Sequence, residues 1–369
     1  MKEKREYKFL FAGGGTGGHL FPAVAVAEKI RLKEPNSQIL FVGTKTKIEG
    51  RVVPKLGFSF KSIWIKGFSR KITFENLLFP LKLIISIMQS ILINMNFRPK
   101  VAIGSGGYVS GPAIFGSSLV GAKIILIEQN SYPGVTTRLL ERFADEIHIS
   151  FADTKKYLRK KEKVFLTGNP IRENLKTIEK DTALKEFGLS SGKKTLLVLG
   201  GSLGALSINE AVANSVEKLV EADIQIIWQT GKIYYERYKK FSNSNVLVKD
   251  FIENMNYAYS ACDLLISRAG ATTIAEIIGL GIASILIPSP NVAENHQYYN
   301  AKSLVDNNAA ILIEDREAKT VLSERIKDAI FNKNILSELR ANVKNLNKKN
   351  AAEIIANNAI NYVKANEYK

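Results

Sequence analysis

At 369 residues the chain is long enough to hold two domains, each with its own core. A formal net charge of +17 and a pI near 9.6 point to nucleic acid, an anionic membrane surface or a polyanionic substrate, and nucleic acid is set aside because no basic stretch is interleaved with aromatics. The single cysteine, Cys262, excludes an intramolecular disulfide, and His19, His148 and His296 stand at no metal-ligand spacing, so neither a metal nor a cofactor is expected.

The amino-terminal MKEKREYKFLFAGGG has no long apolar stretch ahead of a small-residue cleavage site; it is not a signal peptide, and a cytoplasmic protein is expected. A strand is predicted over 7–12 and a helix over 18–33, joined within FLFAGGGTGGHLFP (9–22). A strand that turns through glycines into a helix gathers backbone N–H groups and the positive end of a helix dipole at one point, which suits a phosphate, a pyrophosphate or a sugar phosphate. Gly13, Gly15 and Gly18 satisfy G-x-G-x-x-G, but the second strand, 38–43, runs out at Gly43 and Thr44 without the acid that a dinucleotide site needs for its ribose. The Walker A pattern fails because His19 and Leu20 follow Gly18. What remains is a glycine loop for an anionic or hydroxylated ligand, beside a histidine able to serve as general base.

The next helix is predicted over 76–96. Its apolar run, LLFPLKLIISIMQSILI (77–93), is interrupted by Pro80, Lys82, Ser86, Gln89 and Ser90 and lacks the length and purity of a transmembrane span. Its later half is expected in the core. Leu77, Leu78, Phe79 and Leu81, close to Arg70, Lys71 and Lys82, fit either the core or the headgroup region of an anionic leaflet. A strand at 100–103 leads into a second glycine box, IGSGGYVSGP (103–112), and a helix at 111–119. The strand at 123–127 ends in Glu128, Gln129 and Asn130, polar residues that either face a cleft or cap a helix. A helix at 133–142 and a strand at 146–149 follow. KKYLRKKEK (155–163) reads as a solvated helix face, and VFLTGNPIRENL (164–175), broken by Gly168, Asn169 and Pro170, as the domain boundary.

A second cycle of strand, glycine loop and helix begins within 193–221. Strands are predicted at 224–228, 246–248, 264–267, 283–287 and 310–313, and helices at 254–261, 271–279, 295–306, 319–331 and 350–365. The loop GGSLGA (200–205) can cradle an anion through its backbone. It also matches the G-x-S-x-G nucleophile elbow, with Ser202, Asp263 and His296 in hydrolase order. LLISRAGATTIAEIIGLG (264–281) gives a strand, Arg268, a glycine turn and a helix opening at Thr272 and Thr273. Glu276, one turn inside, is placed either to bind a ribose diol or to stabilise the helix dipole. IPSPNVAENHQYYNA (287–301) sets Asn295, His296 and Gln297 after a further strand. The whole reads as an α/β protein of two doubly wound, Rossmann-like domains facing a central cleft.

The set GGGTGGHLFPA, GSGGYVSGP, EQN, GNPIR, GGSLGA, DFIENM, SRAGATTIAE and NHQYYNA, in this order from about residue 8 to residue 300, closely resembles the MurG family. These are bacterial N-acetylglucosaminyltransferases that convert lipid I to lipid II in peptidoglycan synthesis, a step of cell-wall biogenesis tied to cell shape and division. The resemblance implies a GT-B fold, with residues 1–172 and 350–369 as the acceptor and membrane-docking domain and 173–349 as the donor domain. It implies UDP-N-acetylglucosamine as donor, lipid I (undecaprenyl-pyrophosphoryl-MurNAc-pentapeptide) as acceptor, inversion to a β-1,4 linkage without an essential metal, and a peripheral place on the anionic cytoplasmic face of the inner membrane. Surface docking of the 70–82 region is the expectation that follows. In the donor site, Ser202 and Arg172 would meet the pyrophosphate, Phe251 and Ile252 flank the uracil, and Glu276 take the ribose hydroxyls. Ala271, Asn130 and Gln297 would read the sugar; Arg268, Thr272 and Thr273 belong to the same site, and Thr16, Gly17 and Gly18 line the opposite wall. Gly14, Gly15, Gly106, Gly107 and Tyr108 would receive the acceptor pyrophosphate. His19 is implied as general base, with Glu128 the alternative. Two positions depart from the family pattern: Ile127 stands where many members have histidine, and Leu203 where many have glutamine. Against this reading stand a related UDP-sugar transferase with another lipid acceptor and an α/β hydrolase acting through Ser202.

Overall fold

The computed structural model describes residues 7–67, 78–171, 175–201, 203–348 and 350–365. The chain divides into two compact units, Met1–Arg172 with Lys348–Lys369, and Glu173–Asn347.

The first unit is built on a seven-stranded parallel sheet. Its strands are β1 (Lys8–Ala12), β2 (Gln38–Gly43), β3 (Ser59–Ser62), β4 (Val101–Gly104), β5 (Lys123–Glu128), β6 (Glu146–Ile149) and β7 (Val164–Leu166), in the order β3-β2-β1-β4-β5-β6-β7. Its helices are α1 (Gly17–Lys33), α2 (Ile48–Lys55), α3 (Phe79–Phe97), α4 (Ser110–Leu119) and α5 (Val135–Leu140). Parallel strands covered on both faces need apolar residues on both sides, which is why β1 reads KFLFA, buried from Phe9 onward, rather than alternating. Phe11 stacks on Phe41 in β2, with ring centroids 5.0 Å apart. The edge strands β3 (SFKS) and β7 (VFL) are half exposed and lack the long apolar run that betrays a central strand, so the sequence did not reveal them. KKYLRKKEK is solvated as expected, but the described structure there is short 3-10 turns at 152–157 and 161–163, not a helix face.

The second unit carries a six-stranded parallel sheet: β8 (Lys194–Leu199), β9 (Ile224–Gln229), β10 (Val246–Lys249), β11 (Leu264–Ser267), β12 (Ser284–Leu286) and β13 (Ile311–Leu312), in the order β10-β9-β8-β11-β12-β13. Around it lie α6 (Lys180–Glu186), α7 (Leu206–Ala213), α8 (Val216–Glu221), α9 (Tyr235–Tyr238), α10 (Met255–Ala261), α11 (Ala271–Leu280), α12 (His296–Val305), α13 (Ala318–Phe331) and α14 (Lys333–Asn345). Its core gathers Trp228, Ile226, Val198 and Ile266. Cys262 is buried, as its apolar surroundings predict, and burial next to Asp263 pushes its thiol up to about 12.

The last helix, α15 (Ala351–Ala365), belongs to the first unit, where Ile355, Ala356, Ala359 and Ile360 join the cluster around Phe9 and Phe11. Ion pairs Lys33–Glu353 (2.7 Å) and Lys364–Glu34 (3.2 Å) flank this seam. Asn358 donates to Glu146 at the start of β6 (2.9 Å), and His148 Nε2 meets the same carboxyl oxygen at 2.9 Å.

In each sheet the strand order reverses at one point, between β1 and β4 and between β8 and β11. The glycine loops predicted from the sequence leave these four strands, where open α/β sheets bind their ligands.

Helix α3 overturns the expectation that its later half lies in the core. Its buried residues are Ser86, Ser90 and Asn94. Leu81, Ile84, Met88, Leu92 and Met95, spaced three and four residues apart along one stripe, are 51–60% exposed. The polar side is satisfied within the protein. Ser86 donates to Leu83 O and Ser90 to Ser86 O, while Asn94 bonds Ser90 O and accepts from Ser117 of α4 at 2.7 Å. A Cβ on Gly116 would lie 3.1 Å from Ser90 and Asn94, so small side chains let the two helices close. With 19 residues, α3 is, among the described residues, the one helix long and apolar enough to cross a membrane by length and composition, which corrects the shorter, interrupted stretch expected above.

Candidate active site

In the first unit the two glycine boxes interlock. Gly106 and Gly107 have φ of +91° and +80°; a Cβ on Gly106 would come within 2.8 Å of His19 Nδ1, and one on Gly107 would run into the carbonyl of Gly14. His19 and Ser105 then pair twice: His19 Nδ1 lies 3.1 Å from Ser105 O, and Ser105 Oγ donates to His19 O at 2.6 Å. A carbonyl only accepts, so Nδ1 carries the proton and the lone pair of the neutral ring sits on Nε2. Gln129, buried, donates to the same Ser105 carbonyl (2.9 Å) and brings its Oε1 to 3.4 Å from Nδ1. This is the arrangement of an oriented base.

Glu128 is placed differently. It is 2% exposed and accepts from Asn130 N (3.0 Å), Asn130 Nδ2 (3.2 Å), Gly134 N (3.0 Å) and Thr137 Oγ1 (2.6 Å). Both oxygens are engaged in fixing the loop into α5, which argues against the alternative base. Asn130 is itself buried, with its amide turned to Glu128. Ile127, in place of the family's histidine, is sealed in the core.

A residue that the sequence reading passed over lies beneath the first box. Glu49, 1% exposed in the first turn of α2, accepts from Gly15 N (3.0 Å), Thr44 N (3.0 Å) and Thr44 Oγ1 (2.6 Å). A Cβ on Gly14 would lie 2.5 Å from its carboxyl carbon. The acid missing from the end of β2 is thus supplied by α2, turned inward to fix the loop. Tyr108 lies over Gly15 and Gly67, each of which would bring a Cβ to 3.0 Å from its ring. Burial pushes its phenol above the ordinary value, and the Oη faces the protein interior. Thr16, Gly17 and Gly18 form the exposed to half-buried entry to α1.

In the second unit, Gln229 at the end of β9 joins two loops. It accepts from Ile252 N (2.8 Å) and donates to Gly201 O (3.2 Å). Phe251 beside it is 45% exposed, while the Ile252 side chain is buried. Leu203 projects from the glycine loop at 71% exposure. Ala271, Thr272 and Thr273 open α11, a ten-residue helix whose N-terminus is suited to an anion or a polarised hydroxyl. Glu276 follows one turn on, and Tyr259 Oη donates to its Oε2 at 2.6 Å. Burial first, and the Glu276 charge second, hold the Tyr259 phenol well above its ordinary value, so it remains the donor. Gln297 opens α12 and accepts from Ser289 N at 2.9 Å, which turns its NH2 away from that loop.

Arg268 does not stand as an open anion ligand. Its guanidinium is only partly exposed and bonds Ile287 O (2.9 Å), Pro288 O (3.2 Å), Asp315 Oδ1 (2.5 Å) and Ser207 Oγ (2.7 Å). The hydrolase order also breaks. Asp263 precedes β11 and bonds Thr195 N (2.8 Å) at the start of β8, whereas the 200–205 loop leaves the other end of that strand. Four residues of strand rise, roughly 13 Å, separate the two ends. Asp263 is also paired with Lys180 at 2.7 Å, which takes this carboxylate out of the hydrolase reading. Arg172, Ser202, Arg70, Lys71 and Leu77 lie outside the described residues. Leu78 and Phe79 are half-buried at the start of α3, and Lys82 sits over the exposed Trp64 ring at 5.6 Å, a neighbour the sequence did not reveal. Among the described residues no group of three or more His, Cys, Asp or Glu side chains stands together to hold a metal.

Two doubly wound parallel-sheet units with glycine loops at their strand reversals are the architecture of the GT-B class. Residues 9–149 match the glycosyltransferase family 28 N-terminal domain and residues 195–358 its C-terminal domain. The chain belongs to the MurG family of these transferases. It is 40% identical, over 98% of its length and 99% of the relative's, to the UDP-N-acetylglucosamine--N-acetylmuramyl-(pentapeptide) pyrophosphoryl-undecaprenol N-acetylglucosamine transferase of Flavobacterium psychrophilum. It is 42% identical to the protein of the same name from Bacteroides fragilis, covering 96% of this chain and 95% of that one. The crystal structure of Acinetobacter baumannii MurG superposes with a TM-score of 0.77 at 26% identity, over 96% of this chain and 99% of that one.

Proposed function

We propose that this chain transfers N-acetylglucosamine from UDP-N-acetylglucosamine to the 4-hydroxyl of the muramyl sugar of lipid I, forming lipid II for peptidoglycan. The observation that carries the reading is the likeness, over nearly the whole chain, to transferases named for that reaction.

The second unit is the donor unit in this reading. Departure of UDP leaves negative charge on the diphosphate. The backbone N–H groups at the α11 N-terminus and in the 200–205 loop, with Ser202 and Arg172, stabilise it as it develops. Phe251 and the Ile252 backbone hold the uracil, and Glu276, oriented by Tyr259, takes the ribose hydroxyls. The NH2 of Gln297, with Ala271, Thr272 and Thr273, reads the sugar. In the first unit, His19 Nε2 removes the proton of the acceptor hydroxyl as it attacks the anomeric carbon; Ser105 and Gln129 keep the ring in the tautomer that this requires. The interlocked glycine boxes, with Gly14, Gly15, Gly106, Gly107 and Tyr108, receive the acceptor's pyrophosphate end.

The exposed stripe of α3 supports membrane attachment. Running from Leu81 to Met95, with Trp64 and Lys82 beside it, it suits the headgroup boundary of an anionic leaflet. The opposite side is bonded to α4, so the helix lies along the surface and not through it. The enzyme is then peripheral, on the cytoplasmic face of the inner membrane where lipid I is presented.

UDP release from UDP-N-acetylglucosamine, with and without a short-chain lipid I analogue, tests the reading. Release that requires the analogue and yields the disaccharide is expected. Release that requires a different lipid acceptor would change the acceptor, and no release from folded protein would end the transferase reading.

A further inference from the structure

We infer that Arg268 and Asp315 form a positioning pair that sets the sugar preference of the donor unit without touching the donor. Arg268 ends β11. From there its guanidinium reaches the β12–α12 loop through the carbonyls of Ile287 and Pro288, α7 through Ser207, and the segment after β13 through Asp315. Ser207 also donates to Asp315 Oδ1 at 2.6 Å, which closes the ring of contacts. One planar fork thus joins three neighbouring elements at the carboxyl edge of the sheet, a job that a point charge on a flexible stem does poorly.

The consequence runs along one of these connections. Ser289 follows directly on the tethered Ile287–Pro288 pair, and its N–H holds Gln297 Oε1 at 2.9 Å. The orientation of the Gln297 amide therefore depends on where Arg268 holds the loop. Glu276 depends instead on Tyr259, which lies outside this network. Loosening Arg268 therefore loosens the sugar contact and leaves the ribose contact in place. This rests on the assignment of Gln297 to the sugar and of Glu276 to the ribose made above.

The test compares calorimetric dissociation constants of UDP and UDP-N-acetylglucosamine for the full chain and its variants. Arg268→Lys is expected to weaken UDP-N-acetylglucosamine at least tenfold while UDP changes less than threefold. Adding Gln297→Ala to Arg268→Lys should cost little more than the larger single effect. Asp315→Asn, which keeps the guanidinium but removes its charged acceptor, is expected to act in the same direction and serves if Arg268→Lys fails to fold. An equal loss for both ligands would overturn the inference, because it would put Arg268 on the shared diphosphate; an unchanged preference would overturn it as well. Gln297→Ala alone tests the underlying reading. If it leaves the preference for the sugar nucleotide intact, the sugar assignment falls. The tether is then judged by hydrogen exchange over 286–300 in Arg268→Lys: faster exchange there with the rest of the unit unchanged supports it, and unchanged exchange refutes it.

Discussion

His19 and Ser105, 86 residues apart, hold each other by two hydrogen bonds of opposite sense, ring Nδ1 to carbonyl at 3.1 Å and hydroxyl to carbonyl at 2.6 Å. The pair fixes both the position and the tautomer of the imidazole, and it joins the two glycine boxes that the chain keeps far apart. His19→Ala is expected to lower kcat by roughly 10²–10⁴ while the KM for UDP-N-acetylglucosamine stays near its original value. Steady-state kinetics at saturating acceptor measures this, and near-normal turnover would remove His19 from the reaction.

Tyr259 donates to Glu276, the residue proposed to take the ribose hydroxyls, at 2.6 Å. A contact made equally in the ground and transition states affects KM and not kcat. Glu276→Ala should therefore raise the donor KM with kcat largely kept, and Tyr259→Phe should move the same parameter by less. A collapse of kcat at unchanged KM would contradict the assignment.

The exposed stripe of α3 carries apolar residues that the fold does not use. Ile84→Glu and Met88→Glu should leave the melting temperature nearly unchanged, since both side chains are more than half exposed. Both should reduce co-sedimentation with anionic phospholipid vesicles several-fold. Unaltered vesicle binding by the double variant would show that another surface carries the protein to the membrane.

Glu146 accepts from Asn358 of α15 at 2.9 Å. Burial pushes its carboxyl up, but the hydrogen bonds from His148, Asn358 and Tyr362 outweigh burial and hold it below the usual carboxylate range. A depressed pKa gives stability that is fully present above the unfolded value, about 4.3, and is lost as pH falls through the lower folded value. The urea midpoint should therefore drop, as pH falls below about 4.3, more steeply in the native chain than in Glu146→Gln. Parallel curves would mean that this carboxyl adds nothing to the docking.

What the sequence revealed was local. The glycine boxes and the strands that lead into them are contiguous, so pattern alone located them, and apolar β1, β5, β8 and β11 declared a parallel sheet. Residues that act through partners from other elements were hidden. Glu49 reaches Gly15 from 34 positions away, and Arg268 looked like a residue of the donor site until Asp315, 47 positions on, accounted for its charge. The orientation of α3 was also hidden. Serine and asparagine on a helix suggest the wet side, yet here they satisfy backbone carbonyls and each other, and burying them cost little. Asp263 fitted a hydrolase by sequence order alone; only the direction of β8 and β11 separated it from the glycine loop.

The account turns on direct displacement at the anomeric carbon by an acceptor hydroxyl that His19 deprotonates. The measurement that tests this most directly is the anomeric configuration of the product formed from UDP-N-acetylglucosamine and a lipid I analogue, read from the one-bond and vicinal couplings of its new linkage. A β-1,4-linked disaccharide, inverted from the α-configured donor, is the predicted result. An α-linked product, or free N-acetylglucosamine with no disaccharide, would contradict it.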